Sequence, residues 1–161
     1  MNPSAWTHTR ACKRKDPINV IFAGSLTLDH VTAHLDSMGW TSPGRLILWP
    51  EAVDLFLPDG GLKRAQNDQR IFSLDPVGWL TRYHARLWQV GDQVIAAAHL
   101  DSPRFRPPGH AVRSFEAAEQ LIAQHFSWPP GAFNVRENSY WLGNSQTRPA
   151  LNDGYATVVT P

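Results

Sequence analysis

The segment from Trp79 to Asp101 constrains the fold of this chain more than any other. Trp79 to Gln89 is rich in β-forming residues and alternates, Gly91-Asp92 supplies a two-residue turn, and Gln93 to Asp101 reads as the return strand. Side chains alternate between the two faces of a strand. His84 and Arg86 therefore share one face, and Tyr83, Ala85 and Leu87 share the other. In the return strand His99 and Asp101 fall on one face and Val94, Ala96, Ala98 and Leu100 on the other. If the register aligns the polar faces, the hairpin presents His-x-Arg beside His-x-Asp.

The rest of the chain supports a single α+β domain over residues 16–161, preceded by a polar, flexible arm over 1–15. Pro17 to Gly24 reads as a short buried strand. The helix after it has Leu28, Val31, Leu35 and Met38 at helical spacing, Ser25 or Thr27 as cap, and Gly39 at its end. From Trp40 to Gly78 prolines 43, 50, 58 and 76 interrupt the pattern. Arg45 to Trp49 fits either a short strand or the start of a helix running to Phe56. Gly60-Gly61 marks a turn, and Lys63 to Gln69 reads as an exposed loop. Beyond the hairpin, Ser102 to Gly109 carries Pro103, Pro107 and Pro108 and reads as a loop that cannot continue the ladder. Ser114 caps a second helix with Phe115, Ala118, Leu121, Ile122 and Phe126 as its apolar stripe. Ser139 to Leu142 and Tyr155 to Thr160 are late strands. The expected architecture is a mixed, mainly antiparallel sheet with two principal helices packed on it.

Composition narrows the partners. The chain has 161 residues, 42% of them hydrophobic, enough for a core. Fifteen basic residues oppose fourteen acidic ones, and this balance argues against nucleic acid, which demands a concentrated basic field. No apolar run approaches the roughly 18 residues of a membrane span, and no hydrophobic signal core opens the chain. The single cysteine, Cys12, cannot form an internal disulfide, which fits a reducing, cytoplasmic setting. Seven tryptophans suit either core filling or a ligand cleft.

His84, Arg86, His99, Asp101, Arg104 and His110 concentrate the chemistry. One reading is hydrolysis or transfer at a phosphate-bearing or other anionic small molecule. His84 and His110 would exchange protons, Arg86 and Arg104 would hold the anion, and Asp101 would orient a histidine. A second is a non-catalytic binding or regulatory module using the same residues. A third is a divalent-metal site of His84, His99, Asp101 and His110, although the sequence requires no cofactor. The same letters also describe an ordinary salt-bridged sheet face, with Asp101 pairing Arg86 or Arg104. His30 and His34 have the i, i+4 spacing of a helical metal pair but read as surface residues. Gly24-Ser25, between strand and helix, reads as a cap more than an anion site.

Several of these segments resemble the LssY C-terminal domain family. The likeness lies in Asp16 to Gly24 as first strand, Gly39-Trp40 as a corner, and Arg82-Tyr-His-Ala-Arg-Leu-Trp88 as the central H-x-R-L-W strand. It continues through Val94 to Asp101, through His110 ahead of the Glu116 to Glu119 helix start, and through the late Asn152-Asp-Gly154 turn. Members of that family are often attached to membrane-embedded phosphatase-like or DedA-like regions. The resemblance implies a fold unit and a shared polar site at His84, Arg86, Asp101 and His110 rather than a reaction. His99 departs from it, standing where the family more often has a small hydroxyl residue.

Overall fold

A computed structural model describes residues 5–9, 13–42, 54–57, 59–72, 81–106, 108–148 and 150–161. Cys12, Arg45 to Trp49 and Trp79-Leu80 lie outside the described residues. Among the described residues there are eleven strands and two helices, so the chain is richer in β-structure than its sequence suggests.

The expected hairpin is the spine of the larger sheet. β7 (Arg82–Val90) and β8 (Gln93–Phe105) pair antiparallel across the Gly91-Asp92 turn. The strands are β1 (Trp6–His8), β2 (Arg14–Pro17), β3 (Val20–Phe22), β4 (Asp54–Phe56), β5 (Leu62–Arg64), β6 (Asn67–Phe72), β9 (Pro108–Ser114), β10 (Asn134–Trp141) and β11 (Tyr155–Thr160). Seven strands form one sheet in the order β10-β11-β3-β8-β7-β6, with β9 also on β8. Only β11 and β3 run parallel. A second sheet, ordered β2-β1-β4-β5, is wholly antiparallel.

Three expectations give way here. At its described residues the supposed arm carries β1 and β2, held together because the Thr7 hydroxyl donates to the Asp16 carbonyl and accepts from the Asp16 N–H. Lys63 to Gln69 is not a loop: β5 ends at Arg64 and β6 begins at Asn67. Ser102 to Gly109 does not end the ladder, since β8 continues to Phe105 and pairs with β9 through Pro103↔His110. Among the described residues β8 pairs with β7 as far as Asp101 and with β9 from Leu100 to Phe105, Pro103 included.

The helices, α1 (Leu28–Ser37) and α2 (Glu116–Phe126), start where side chains satisfy their first N–H groups. Thr27 accepts from the His30 N–H, and Ser114 accepts from the Ala117 N–H at 3.0 Å. Val31 and Leu35 of α1 and Ala118, Ile122 and Phe126 of α2 share one buried cluster with Val20, Phe22, Ala85, Leu87, Ala96 and Ala98. A second cluster joins Ile18, Ile21, Trp88, Ile95 and Ala97 to Leu55 of the smaller sheet. Trp88 and Ala97 have the parity of His84 and His99. The polar face of the hairpin therefore meets the smaller sheet, opposite the helical cluster.

Asn19 fills a gap in the ladder beside that face. β3 flanks β8 at Val94 to Ala96 and β9 flanks it from Leu100. Between them the Asn19 amide accepts from the Ala98 N–H and donates to its carbonyl, both at 2.9 Å, as a strand would. The peptide before His99 is thereby held straight.

Candidate functional site

The two-residue turn fixes the site. With Gly91-Asp92 as the loop, His84 stands opposite His99 and Arg82 opposite Asp101, all on one face. β6 adds Asp68, opposite Arg86, and Arg70, opposite His84. Asp16 arrives from β2. His84, His99 and Asp101 are buried, at 1%, 4% and 4% exposed.

At the centre two imidazoles face each other. His84 Nδ1 lies 3.2 Å from His99 Nε2, with the rings perpendicular at 87°. Asp101 stands beside both, its Oδ1 3.2 Å from His99 Nε2 and its Oδ2 3.9 Å from His84 Nδ1. The outer nitrogens look away from this triangle toward carboxylates. His84 Nε2 is hydrogen-bonded to Asp68. His99 Nδ1 lies 3.8 Å from Asp16 Oδ2 and is buried without a hydrogen-bond partner among the described residues.

Each carboxylate is matched by a guanidinium. Arg70 Nη2 donates to Asp68 at 3.2 Å, Arg82 Nε to Asp101 at 3.3 Å, and Arg86 Nη1 to Asp16 at 3.4 Å. Three aspartates face three arginines around the two imidazoles, so the carboxylate and guanidinium charges offset one another, which makes their burial tolerable.

The pairings set the protonation states. Because Asp68 accepts the His84 Nε2 proton, Nδ1 carries the lone pair that points into the triangle. Burial pushes the His84 imidazole down to about 3, with the Asp68 hydrogen bond opposing and the Arg86 charge assisting, so His84 is neutral across the physiological range. Burial raises the Asp101 carboxyl, but the hydrogen bond to His99 and the neighbouring charges outweigh it, and its pKa lies below the usual carboxylate value. The His84 Nδ1 lone pair, the His99 Nε2 atom, which would give up its proton to a metal, and the Asp101 carboxylate converge on one point, a set that could hold a metal ion. One ligand atom from each of His84, His99 and Asp101 lies within 4.8 Å of the others.

His110 and Arg104 stand apart from this triangle. His110 shares its face but pairs with Pro103, two positions beyond Asp101 and roughly 7 Å further along the strand. It is exposed, and among the described residues it makes no hydrogen bond to the cluster. Its pKa is lowered by partial burial and by Arg82, with Asp101 opposing, so it senses the site's charges from the rim. Arg104 pairs with Gly109 and has the opposite parity to Asp101, which puts it on the other face of the sheet and removes it from an anion clamp at this site. Asp101 pairs with neither Arg86 nor Arg104 but with Arg82.

Sequence reading missed Arg82, Asp68, Arg70 and Asp16. Arg82 was within reach, since it shares parity with His84. Asp68 and Arg70 alternate as Asp-x-Arg in a segment read as a loop. His30 and His34 hold no common ligand: His30 Nδ1 accepts from the Thr27 N–H, and His34 Nε2 bonds to the His125 carbonyl. Thr27, rather than Ser25, is the cap of α1.

No protein-family model, curated protein or solved structure matches this chain. The likeness to the LssY C-terminal domain accordingly rests on the segments quoted above. No helix among the described residues is long and apolar enough to cross a membrane.

Proposed function

We propose that this chain is a transition-metal-binding domain whose centre is formed by His84 Nδ1, His99 Nε2 and the Asp101 carboxylate. The observation that carries the reading is the spacing of these atoms. Zinc–nitrogen bonds of about 2.05 Å in a tetrahedron place neighbouring ligand atoms roughly 3.3 Å apart. The two nitrogens are 3.2 Å apart, and the carboxylate reaches them at 3.2 and 3.9 Å.

The surroundings support it. Metal-bound histidines characteristically give their second ring proton to a carboxylate, which fixes the tautomer. Asp68 already does this for His84. Imidazole and carboxylate ligands suit zinc, or iron(II) in a two-histidine, one-carboxylate site, and such an ion supplies Lewis-acid chemistry at any remaining position. The flanking guanidiniums are each committed to an aspartate, which lessens their repulsion of a cation. The same commitment disfavours an anionic substrate at Arg86, because a phosphate would compete with Asp16.

Elemental analysis of purified protein and a zinc titration followed by thermal melting test the proposal. One equivalent is expected, and at a hundredfold excess over Kd the stabilisation is about 2.7 kcal/mol. His84→Asn and His99→Asn should lose it. A chain that takes up no divalent metal and melts identically with chelator overturns the reading; a rise in Tm with inorganic phosphate alone, lost in Arg86→Ala, supports the anion-binding alternative instead.

A further inference from the structure

We infer that Asp16 completes the same metal centre from the smaller sheet, so that metal loading fastens the β1–β2 ribbon to the seven-stranded sheet. This rests on the metal-centre reading and adds a consequence to it. The starting observation is the buried His99 Nδ1, which has no hydrogen-bond partner among the described residues. Its nearest ionic neighbour is Asp16 Oδ2 at 3.8 Å. Without metal His99 Nε2 holds a proton, because it faces two acceptors at 3.2 Å, His84 Nδ1 and Asp101 Oδ1. Nδ1 then faces the Asp16 carboxylate at 3.8 Å, too far for a hydrogen bond. A metal on Nε2 requires a lone pair there and moves the proton to Nδ1. The 3.8 Å contact with Asp16 then closes to a charge-assisted N–H···O hydrogen bond.

Asp16 can transmit that change because its backbone is woven into β1. Thr7 bonds both its N–H and its carbonyl, and two residues on Ile18 donates to the Ala5 carbonyl. Among the described residues the other tie of the Asp16 carboxylate to the large sheet is a 3.4 Å contact from Arg86. A new bond from His99 therefore shortens the link between the two sheets at one point, and ribbon and metal stabilise one another reciprocally.

The test uses the full chain, zinc as probe, and three readouts. Calorimetry gives stoichiometry and affinity, nitrogen-15 correlation spectra of labelled histidine report which His99 nitrogen carries the proton, and hydrogen exchange follows residues 13–17. In the native chain zinc should move the His99 proton to Nδ1 and slow exchange over 13–17 tenfold or more. Asp16→Ala should still bind one zinc, some 10–100-fold more weakly, with no slowing of exchange. Asp16→Asn keeps the shape and an accepting oxygen, so it should fall between the two and serves as the deciding variant if the alanine form does not fold. Zinc binding of undiminished affinity in Asp16→Asn, or a native chain that binds zinc with the His99 proton still on Nε2, overturns the role of Asp16 and leaves the metal centre standing. No zinc uptake by the native chain removes the metal centre itself, and this coupling with it.

Discussion

Glu119 gives the chain a stability that declines with pH through neutrality. It lies on α2, 1% exposed, where Oε1 accepts from the Thr157 hydroxyl at 2.7 Å and Oε2 has no partner. Burial raises its pKa to about 8; Thr157 opposes this, and Glu116 and Asp153 add to it. The unfolded side chain titrates near 4.5, so between pH 4.5 and 8 the native state holds one more proton than the unfolded state. Stability then falls by at most about 1.4 kcal/mol per pH unit. His84 works in the opposite direction. Its imidazole is depressed to about 3 from 6.5, so below pH 6.5 the unfolded chain binds the extra proton and stability rises with pH. Between pH 4.5 and 6.5 the slopes oppose each other, with the lowered His8, His110 and His125 acting in the same sense as His84, and above 6.5 Glu119 prevails. From pH 6.5 to 8 the net loss should be about 1.3 kcal/mol, or roughly 3–5 °C in Tm for a chain of this length. Differential scanning calorimetry in metal-free buffer measures it, and Glu119→Gln, neutral at every pH, should flatten the curve over that window. A native Tm that is level or rising from pH 6.5 to 8, or an unchanged slope in Glu119→Gln, would refute the reasoning.

Three further substitutions probe the frame around the site. Asn19→Ala should cost about 2–4 kcal/mol by urea denaturation, because it strips the Ala98 N–H and carbonyl of their partners inside the sheet; a loss under 0.5 kcal/mol would mean that β3 or β9 can close the gap. Arg82→Met should destabilise by about 3 kcal/mol at pH 7 by leaving the buried Asp101 carboxylate without its guanidinium, with much of the loss recovered in Arg82→Met/Asp101→Asn; a double variant no more stable than the single one would show that the pair is not the unit. Gly154→Ala should cost about 1–3 kcal/mol, since φ is +93° and a methyl group would sit 2.6 Å from Trp141 Cζ3; an unchanged midpoint would show that the 56%-exposed Trp141 ring swings aside freely and that the turn relaxes.

What the sequence disclosed about this site is what period and counting can disclose. His84 precedes the Gly91-Asp92 turn by as many residues as His99 follows it, so a two-residue loop obliges the two imidazoles to meet, and the same count sets Arg82 against Asp101. The resemblance that selected His84 pointed away from His99, because it compares residue types at a position and takes no account of what stands across the ladder. The outer partners were illegible for a different reason. β6 is polar on both faces at Asn67, Asp68, Gln69 and Arg70, so no hydrophobic alternation marks it as a strand. β2 has four residues, too few for any period to show, and pairs with β1 across a bulge. Pro103 read as a terminator because a proline's missing N–H matters only on a side where a neighbour would use it, and the sequence does not say which side that is. Asp16 and Arg86 are 70 positions apart in the chain. With fifteen basic and fourteen acidic residues to choose among, no local rule assigns that pair. Yet the proposed metal centre turns on this assignment: an unmatched Arg86 would favour an anion on this face, whereas an Arg86 matched by Asp16 favours a cation at the two imidazoles and Asp101.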